Sequence, residues 1–108
     1  MNNEAMLKQL GYTPNDALLS QFDRIAKNTK SFDKIQKHIL DLHEHLKVDD
    51  SHVAMSNSED YFKIKIEAPS PERIEEAMEK VNHFAEKYKV ALKQVDGKHT
   101  YYILGYDK

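Results

Sequence analysis

One stretch decides the fold of this chain: SPERIEEAMEKVNHFAEKY, residues Ser70–Tyr88. Ser70 is suited to cap the start of a helix because its hydroxyl can accept a hydrogen bond from a first-turn N–H. Pro71 is well tolerated at the first helical position, and the glutamates that follow match the positive end of the helix dipole. Apolar residues recur every three or four positions, namely Ile74, Ala77, Met78, Val81, Phe84, Ala85 and Tyr88. The stretch therefore predicts an amphipathic helix that needs a partner surface.

Strand patterns lie on both sides of this helix. Before it, residues 61–67 (YFKIKIE) alternate between apolar and polar side chains, and residues 52–56 form a weaker candidate strand. After it come two more candidate strands, 90–95 and 98–106. The last strand is the richest in aromatic and branched apolar residues, so we place it inside the sheet. The predicted order is 52–56, 61–67, 99–106, 90–95, with all neighbours antiparallel.

The turn between the last two strands sets their predicted register. Asp96-Gly97 between alternating strands is typical of a two-residue type I′ turn. Such a turn would place Lys93 opposite Thr100 and Leu92 opposite Tyr101. One face would then carry the apolar residues that suit the helix: Val90, Leu92, Tyr101 and Ile103.

Three helices are predicted before the sheet. The first covers residues 3–10, and the second is opened by Thr13-Pro14 and runs to about Asn28. The third runs from a capping serine at position 31 to about Lys47, with an apolar stripe of Phe32, Ile35, Ile39, Leu42 and Leu46. Since only a few residues join the second and third helices, an antiparallel helical hairpin is expected.

The fold class that follows is α+β. An N-terminal helical part (α-α-α, residues 1–48) precedes a ββαββ part (residues 51–108), and both belong to one predicted domain, 1–108. We expect a four-stranded antiparallel sheet with helix 70–88 on one face and the helical hairpin beside or across it.

Composition narrows the possible functions. The chain has 108 residues, of which 40% are hydrophobic and 31% charged, as in a folded globular protein. Its net charge is −2, from 16 basic and 18 acidic side chains, so bulk charge favours neither nucleic acid nor an anionic membrane. There is no cysteine, which excludes disulfides and thiolate chemistry. The expected compartment is the cytoplasm, with no membrane attachment.

Catalytic groupings are not evident. The three glycines suit a helix end, a turn and a strand end, and no Gly-rich phosphate loop is present. His52, His83 and His99 are scattered, and nothing places a serine nucleophile or an orienting carboxylate near any of them. We therefore favour a protein that is not an enzyme, and we expect no cofactor.

One cluster on the third helix has the chemistry of a weak metal site. His38, Asp41 and His45 lie within one stripe, at spacings of three and four, and each neighbouring pair could share an ion. His38 and His45 are about 10 Å apart along the axis, at ~1.5 Å per residue, too far to bind one ion together. A polar flank of the helix is the favoured interpretation.

The outer face of the sheet is the main candidate for function. It is expected to collect Tyr61, Lys63, Lys65, Lys93, Thr100, Tyr102 and Leu104, with Tyr106 close by. The N-terminal helices could cover this face, or two copies of the chain could meet there. Tyrosine and leucine beside lysine are typical of a protein–protein contact, and we favour a small binding or regulatory module, which could be a homodimer. Single-stranded nucleic acid is an alternative that is not favoured, and a metal-dependent module is a weaker one.

Overall fold

The structure is a computed structural model that describes residues 3–107; the ends of the predicted domain, 1–2 and 108, lie outside the described residues. The elements follow the order α-α-α-β-β-α-β-β. They are α1 (Asn3–Gln9), α2 (Asp16–Asn28), α3 (Phe32–His45), β1 (His52–Met55), β2 (Phe62–Lys65), α4 (Pro71–Tyr88), β3 (Val90–Gln94) and β4 (Thr100–Tyr106). The predicted α+β class and its order of elements are confirmed, and the strands are slightly shorter than predicted.

Helix α4 forms as its sequence predicts. The Ser70 hydroxyl accepts a hydrogen bond from the Arg73 N–H at 3.3 Å, and Pro71 is the first helical residue. At the other end Lys89 takes a left-handed conformation (φ 57°), and its N–H donates to the Ala85 carbonyl. This cap ends the helix and turns the chain directly into β3.

The start of helix α2 differs from the prediction. Helix α2 does not begin at Thr13-Pro14. Its N-cap is Asn15, whose side-chain oxygen accepts the Leu18 N–H at 2.8 Å, and Asp16 is the first helical residue. Asparagine is a stronger cap than threonine, so the helix starts where that side chain can satisfy a free N–H.

Helix α3 begins directly after Ser31, as predicted, but it ends before the predicted last residue, Lys47. Ser31 occupies the N-cap position, but it has φ 52° and its side chain makes no capping bond. The last helical residue is His45, and the Leu46 N–H closes the final turn on the Leu42 carbonyl at 2.7 Å. Leu46 remains fully buried, so the apolar stripe reaches beyond the helix itself.

The sheet has the predicted strand order, β1-β2-β4-β3, with antiparallel neighbours throughout. The hairpin register differs: Lys93 pairs with Tyr102, and the Val95 N–H donates to the Thr100 carbonyl at 2.8 Å. Residues 96–99 therefore form a four-residue loop, and the predicted two-residue turn is wrong. A type I′ turn needs positive φ at both central residues, whereas only Gly97 (φ 71°) has it here.

A bulge interrupts the pairing of β3 with β4. Ala91 pairs with Gly105 and Leu92 with Ile103, which leaves Leu104 as an extra residue on β4. Gly105 has φ 143° and lies beside Lys30, in the short connection between α2 and α3. The Lys30 N–H donates to the Leu104 carbonyl at 3.3 Å, and its carbonyl accepts the Tyr106 N–H at 2.8 Å. The α2–α3 connection thus extends the sheet beside the end of β4.

The helices that pack on the sheet all pack on the same side of it. Helix α3 packs against β1, β4 and α4, helix α4 against β3, and helix α2 against β1 and α1. An aromatic cluster joins the layers: the rings of Phe22 and Phe32 lie 5.4 and 5.9 Å from that of Phe62 in β2. No helix in residues 3–107 lies over the opposite, outer face of the sheet, and none is long and apolar enough to cross a membrane.

Candidate functional site

A row of side chains crosses the outer face of the sheet. Tyr102 in β4 lies between Lys63 of β2 and Lys93 of β3, and Ala54 of β1 is the next residue beyond Lys63. Directly paired residues of neighbouring strands lie on the same face. The row is therefore continuous across all four strands, and each of its members is at least partly exposed.

A second tyrosine widens the aromatic part of this face. The Tyr61 ring lies 5.7 Å from the Tyr102 ring, with 34° between their planes. The Tyr102 hydroxyl is 3.3 Å from the Ser58 hydroxyl, which holds the ring against the turn before β2. Leu104 follows the buried Ile103 and points to the same side as Tyr102, where it is partly exposed. Two rings and a leucine thus form an open apolar patch.

The lysines of this face are not equivalent. Lys65 forms an ion pair of 2.8 Å with Glu67, and this hydrogen bond and charge lower the pKa of the Glu67 carboxyl. Lys63 and Lys93 form no ion pair with any residue from 3 to 107. The two lysines that flank Tyr102 are therefore the ones on this face without an ion pair in residues 3–107.

Tyr106 does not belong to the outer face, and its predicted position was wrong. Tyr106 pairs with Val90, which is buried on the helix side of the sheet. Its ring packs against the core, with the Lys34 ammonium of α3 5.3 Å from the ring centre. The bulge at Leu104 and Gly105 is the cause, because one extra residue reverses the facing of every side chain beyond it.

The two histidines among the three weak metal candidates make different contacts. The His38 ring stacks on Tyr88 of α4, with ring centres 3.7 Å apart, and the His45 Nδ1 lies 2.7 Å from the backbone carbonyl of Asp41. Between residues 3 and 107 no three His, Cys, Asp or Glu side chains are grouped as a metal site would require.

A groove between α3 and α4 is a feature that the sequence did not reveal. Its apolar floor includes Leu42, Phe84 and Tyr88, and the Lys80 ammonium spans it to reach the His45 carbonyl at 3.1 Å. Charged groups of both signs line its rim: Asp41, Glu76, Glu79, Lys80 and Lys87. The two helices that form it are far apart in the sequence. The residue pattern of one helix does not indicate that it packs beside the other.

Two side chains accept hydrogen bonds from the outer edge of β1, a second feature that the sequence did not reveal. Val53 and Met55 direct their N–H groups away from β2. His43 accepts the first with its Nδ1 at 3.3 Å, and the Tyr12 hydroxyl accepts the second at 2.9 Å. Both acceptors come from the N-terminal helical part, so the outward N–H groups of β1 are satisfied from within the chain.

The His43 contact predicts a pH dependence of stability. Partial burial, and then the charge of Lys47, hold the pKa of His43 below its ordinary value of about 6.5, although Glu44 opposes them. At a pH between the lowered pKa of His43 in the folded chain and its ordinary pKa in the unfolded chain, the unfolded chain binds more protons. The free energy of unfolding therefore rises with pH in this range. We expect the free energy of unfolding to fall as the pH drops below about 6.5, as measured by urea unfolding from pH 8 to pH 5.

An asparagine at position 43 supplies the control. Its side-chain oxygen can accept the Val53 N–H but does not titrate, so His43→Asn should lose less stability than the parent over the same pH range. Equal losses in the two proteins would show that His43 does not carry the effect.

Comparisons with known proteins do not assign this chain to a family. The chain matches no family model, no curated protein and no solved structure. Inference about function therefore depends on the geometry of the chain itself.

Proposed function

We propose that this chain is a small non-enzymatic binding or regulatory protein that acts in the cytoplasm by contacting another protein through the outer face of its sheet. One observation carries the proposal: the row Ala54–Lys63–Tyr102–Lys93 crosses the whole sheet, and no helix of the described chain lies over it. The buried apolar side chains of the four strands, by contrast, all lie on the helix side of the sheet.

The chemistry of the face indicates the partner. Half-exposed tyrosines at the centre of a surface are typical of protein interfaces, and here Tyr61 and Tyr102 lie together beside Leu104. Lys63 and Lys93 add positive charge that forms no ion pair within residues 3–107. A complementary surface would present an apolar patch bordered by carboxylates, because opposite charges at a rim favour encounter and fix orientation.

Single-stranded nucleic acid is the second candidate for the same face. The Tyr61–Tyr102 pair could stack on bases, and flanking lysines could contact phosphates. Among the lysines of this face only Lys63 and Lys93 lack an ion pair within residues 3–107, however, and the chain carries a net charge of −2. Few phosphate contacts are available, so this ligand is less favoured.

Photo-crosslinking from position 102 tests the proposal. With a benzophenone amino acid in place of Tyr102, irradiation in cells should give a covalent adduct with a protein, identified by mass spectrometry. Adding Lys63→Glu and Lys93→Glu should reduce the yield at least tenfold, since both charges at the rim are reversed. The matched control carries the same probe at Glu86, which is exposed on α4.

The outcomes separate the two ligands. A protein adduct at position 102 that depends on both lysines and is absent from position 86 supports protein binding. An adduct with nucleic acid, whose yield falls steeply when cell extracts are irradiated at increasing salt concentration, would replace the proposal by the second candidate. Equal adducts from positions 102 and 86 would overturn both.

A further inference from the structure

The two edges of the sheet differ in a way that points to self-association. The edge of β1 is closed by His43 and Tyr12, which accept its outward N–H groups. The other edge is β3, Val90–Gln94. A free strand edge is a template for pairing with another strand, and proteins usually blunt the edges that must stay single. In residues 3–107 the outward N–H groups of β3 have no such acceptor.

The hydrogen bonds around β3 show which of its groups are free. Val95 donates its N–H to β4, and the Lys89 carbonyl accepts the Asp107 N–H. Since backbone groups alternate along a strand, Val90, Leu92 and Gln94 direct theirs away from β4. In residues 3–107 the backbone N–H groups of Leu92 and Gln94 have no partner.

Half-exposed apolar side chains lie along the same edge. Leu92 is on the helix side and is only partly buried. Met78 and Ala85 of α4 are also partly buried, and their spacing of seven places them on one side of the helix. That side is away from the groove with α3, which Lys80 and Lys87 line. An apolar strip therefore runs beside the free backbone groups.

We propose that β3 pairs with β3 of a second copy of this chain, antiparallel about a two-fold axis at Leu92. The alternative registers explain the choice. An axis at Lys93 would set two lysines directly opposite each other, which is unfavourable. An axis at Ala91 would set Lys93 opposite Lys89 and leave Gln94 unpaired.

The axis at Leu92 avoids both problems. Leu92 packs on the Leu92 of the second copy, Gln94 pairs with Val90, and Lys93 lies opposite the small Ala91. Met78 and Ala85 of the two copies approach each other above this seam. The product is an eight-stranded sheet whose outer faces remain open side by side, so the pairing is independent of the proposed binding by the face.

Cysteine crosslinking tests the axis directly, because the chain has no cysteine of its own. Opposed residues of antiparallel strands have Cα atoms about 4.5–5.5 Å apart, within reach of a disulfide. Under mild oxidation Leu92→Cys should form a covalent dimer on its own. Ala91→Cys and Lys93→Cys should each give no covalent dimer alone and should crosslink when mixed. A covalent dimer of Lys93→Cys alone, or no covalent dimer from any of these, overturns the proposal.

Sedimentation of variants without cysteine provides the second measurement. Gln94→Pro removes an outward N–H and no backbone bond within the sheet, while its side-chain bond to the Lys98 carbonyl in the loop is lost as well. Leu92→Lys places two charges at the axis. Each should weaken dimerisation at least tenfold while circular dichroism stays unchanged. Tyr102→Asp on the outer face should leave the dimer intact while reducing binding of a partner there. A parent chain that is monomeric at high micromolar concentration would contradict the proposal and leave the function of the face untouched.

Discussion

Replacing Gly105 with alanine is expected to lower the free energy of unfolding by about 3 kcal/mol. A Cβ at this position would lie 2.5 Å from the Lys30 backbone nitrogen and 2.7 Å from its carbonyl oxygen. Neither atom can move away freely, because both bond to β4. The φ of 143° adds strain for any residue other than glycine. Urea unfolding followed by circular dichroism measures the change.

Gly97 is the matched control. Its φ of 71° is also left-handed, but a Cβ there would meet no atom within 4 Å. Gly97→Ala should therefore cost only the conformational term, about 1 kcal/mol. Lys30→Gly in the Gly105→Ala background should recover little, since the backbone contacts would persist. A loss at Gly105 no larger than that at Gly97 would refute the steric argument.

The position of Gly105 explains why the sequence predicted some of the sheet and not the rest. The strand order followed from β4 being rich in aromatic and branched residues. The outer positions of Lys63, Tyr102 and Lys93 also followed, because the hairpin register is displaced by two residues, and a displacement of two preserves the face of every side chain. For these residues, the alternation of apolar and polar side chains along each strand is sufficient to predict the face.

The end of β4 depends on contacts that local pattern does not contain. Tyr106 turns to the helix side because of a bulge held by Lys30, which lies 75 positions before Gly105 in the chain. The hydrogen bonds to the edge of β1 also depend on tertiary contacts, since Tyr12 and His43 belong to distant segments of the chain. The predicted outer face was therefore right where it depended on alternation and wrong where it depended on a tertiary contact.

Phe62→Ala is expected to remove about 3–5 kcal/mol of stability. Phe62 is fully buried, and its ring contacts Phe22 edge-on at 5.4 Å and Phe32 face-on at 5.9 Å. Alanine would leave a cavity where α2, α3 and the sheet meet. Since a small domain is stable by only about 5–15 kcal/mol, a large fraction of the molecules could unfold at 37 °C. Thermal and urea unfolding both report the loss.

Tyr61→Ala is the control for Phe62→Ala, and the comparison shows whether variants of the outer face can be used to test binding. Tyr61 precedes Phe62 but lies on the outer face and is partly exposed. Tyr61→Ala should cost less than about 1 kcal/mol. Comparable losses at the two positions would mean that the outer face is packed like a core, and binding changes measured there would then reflect unfolding. A large loss at Phe62 with a small one at Tyr61 instead allows effects of Tyr102 and Lys63 variants to be assigned to contact with a partner.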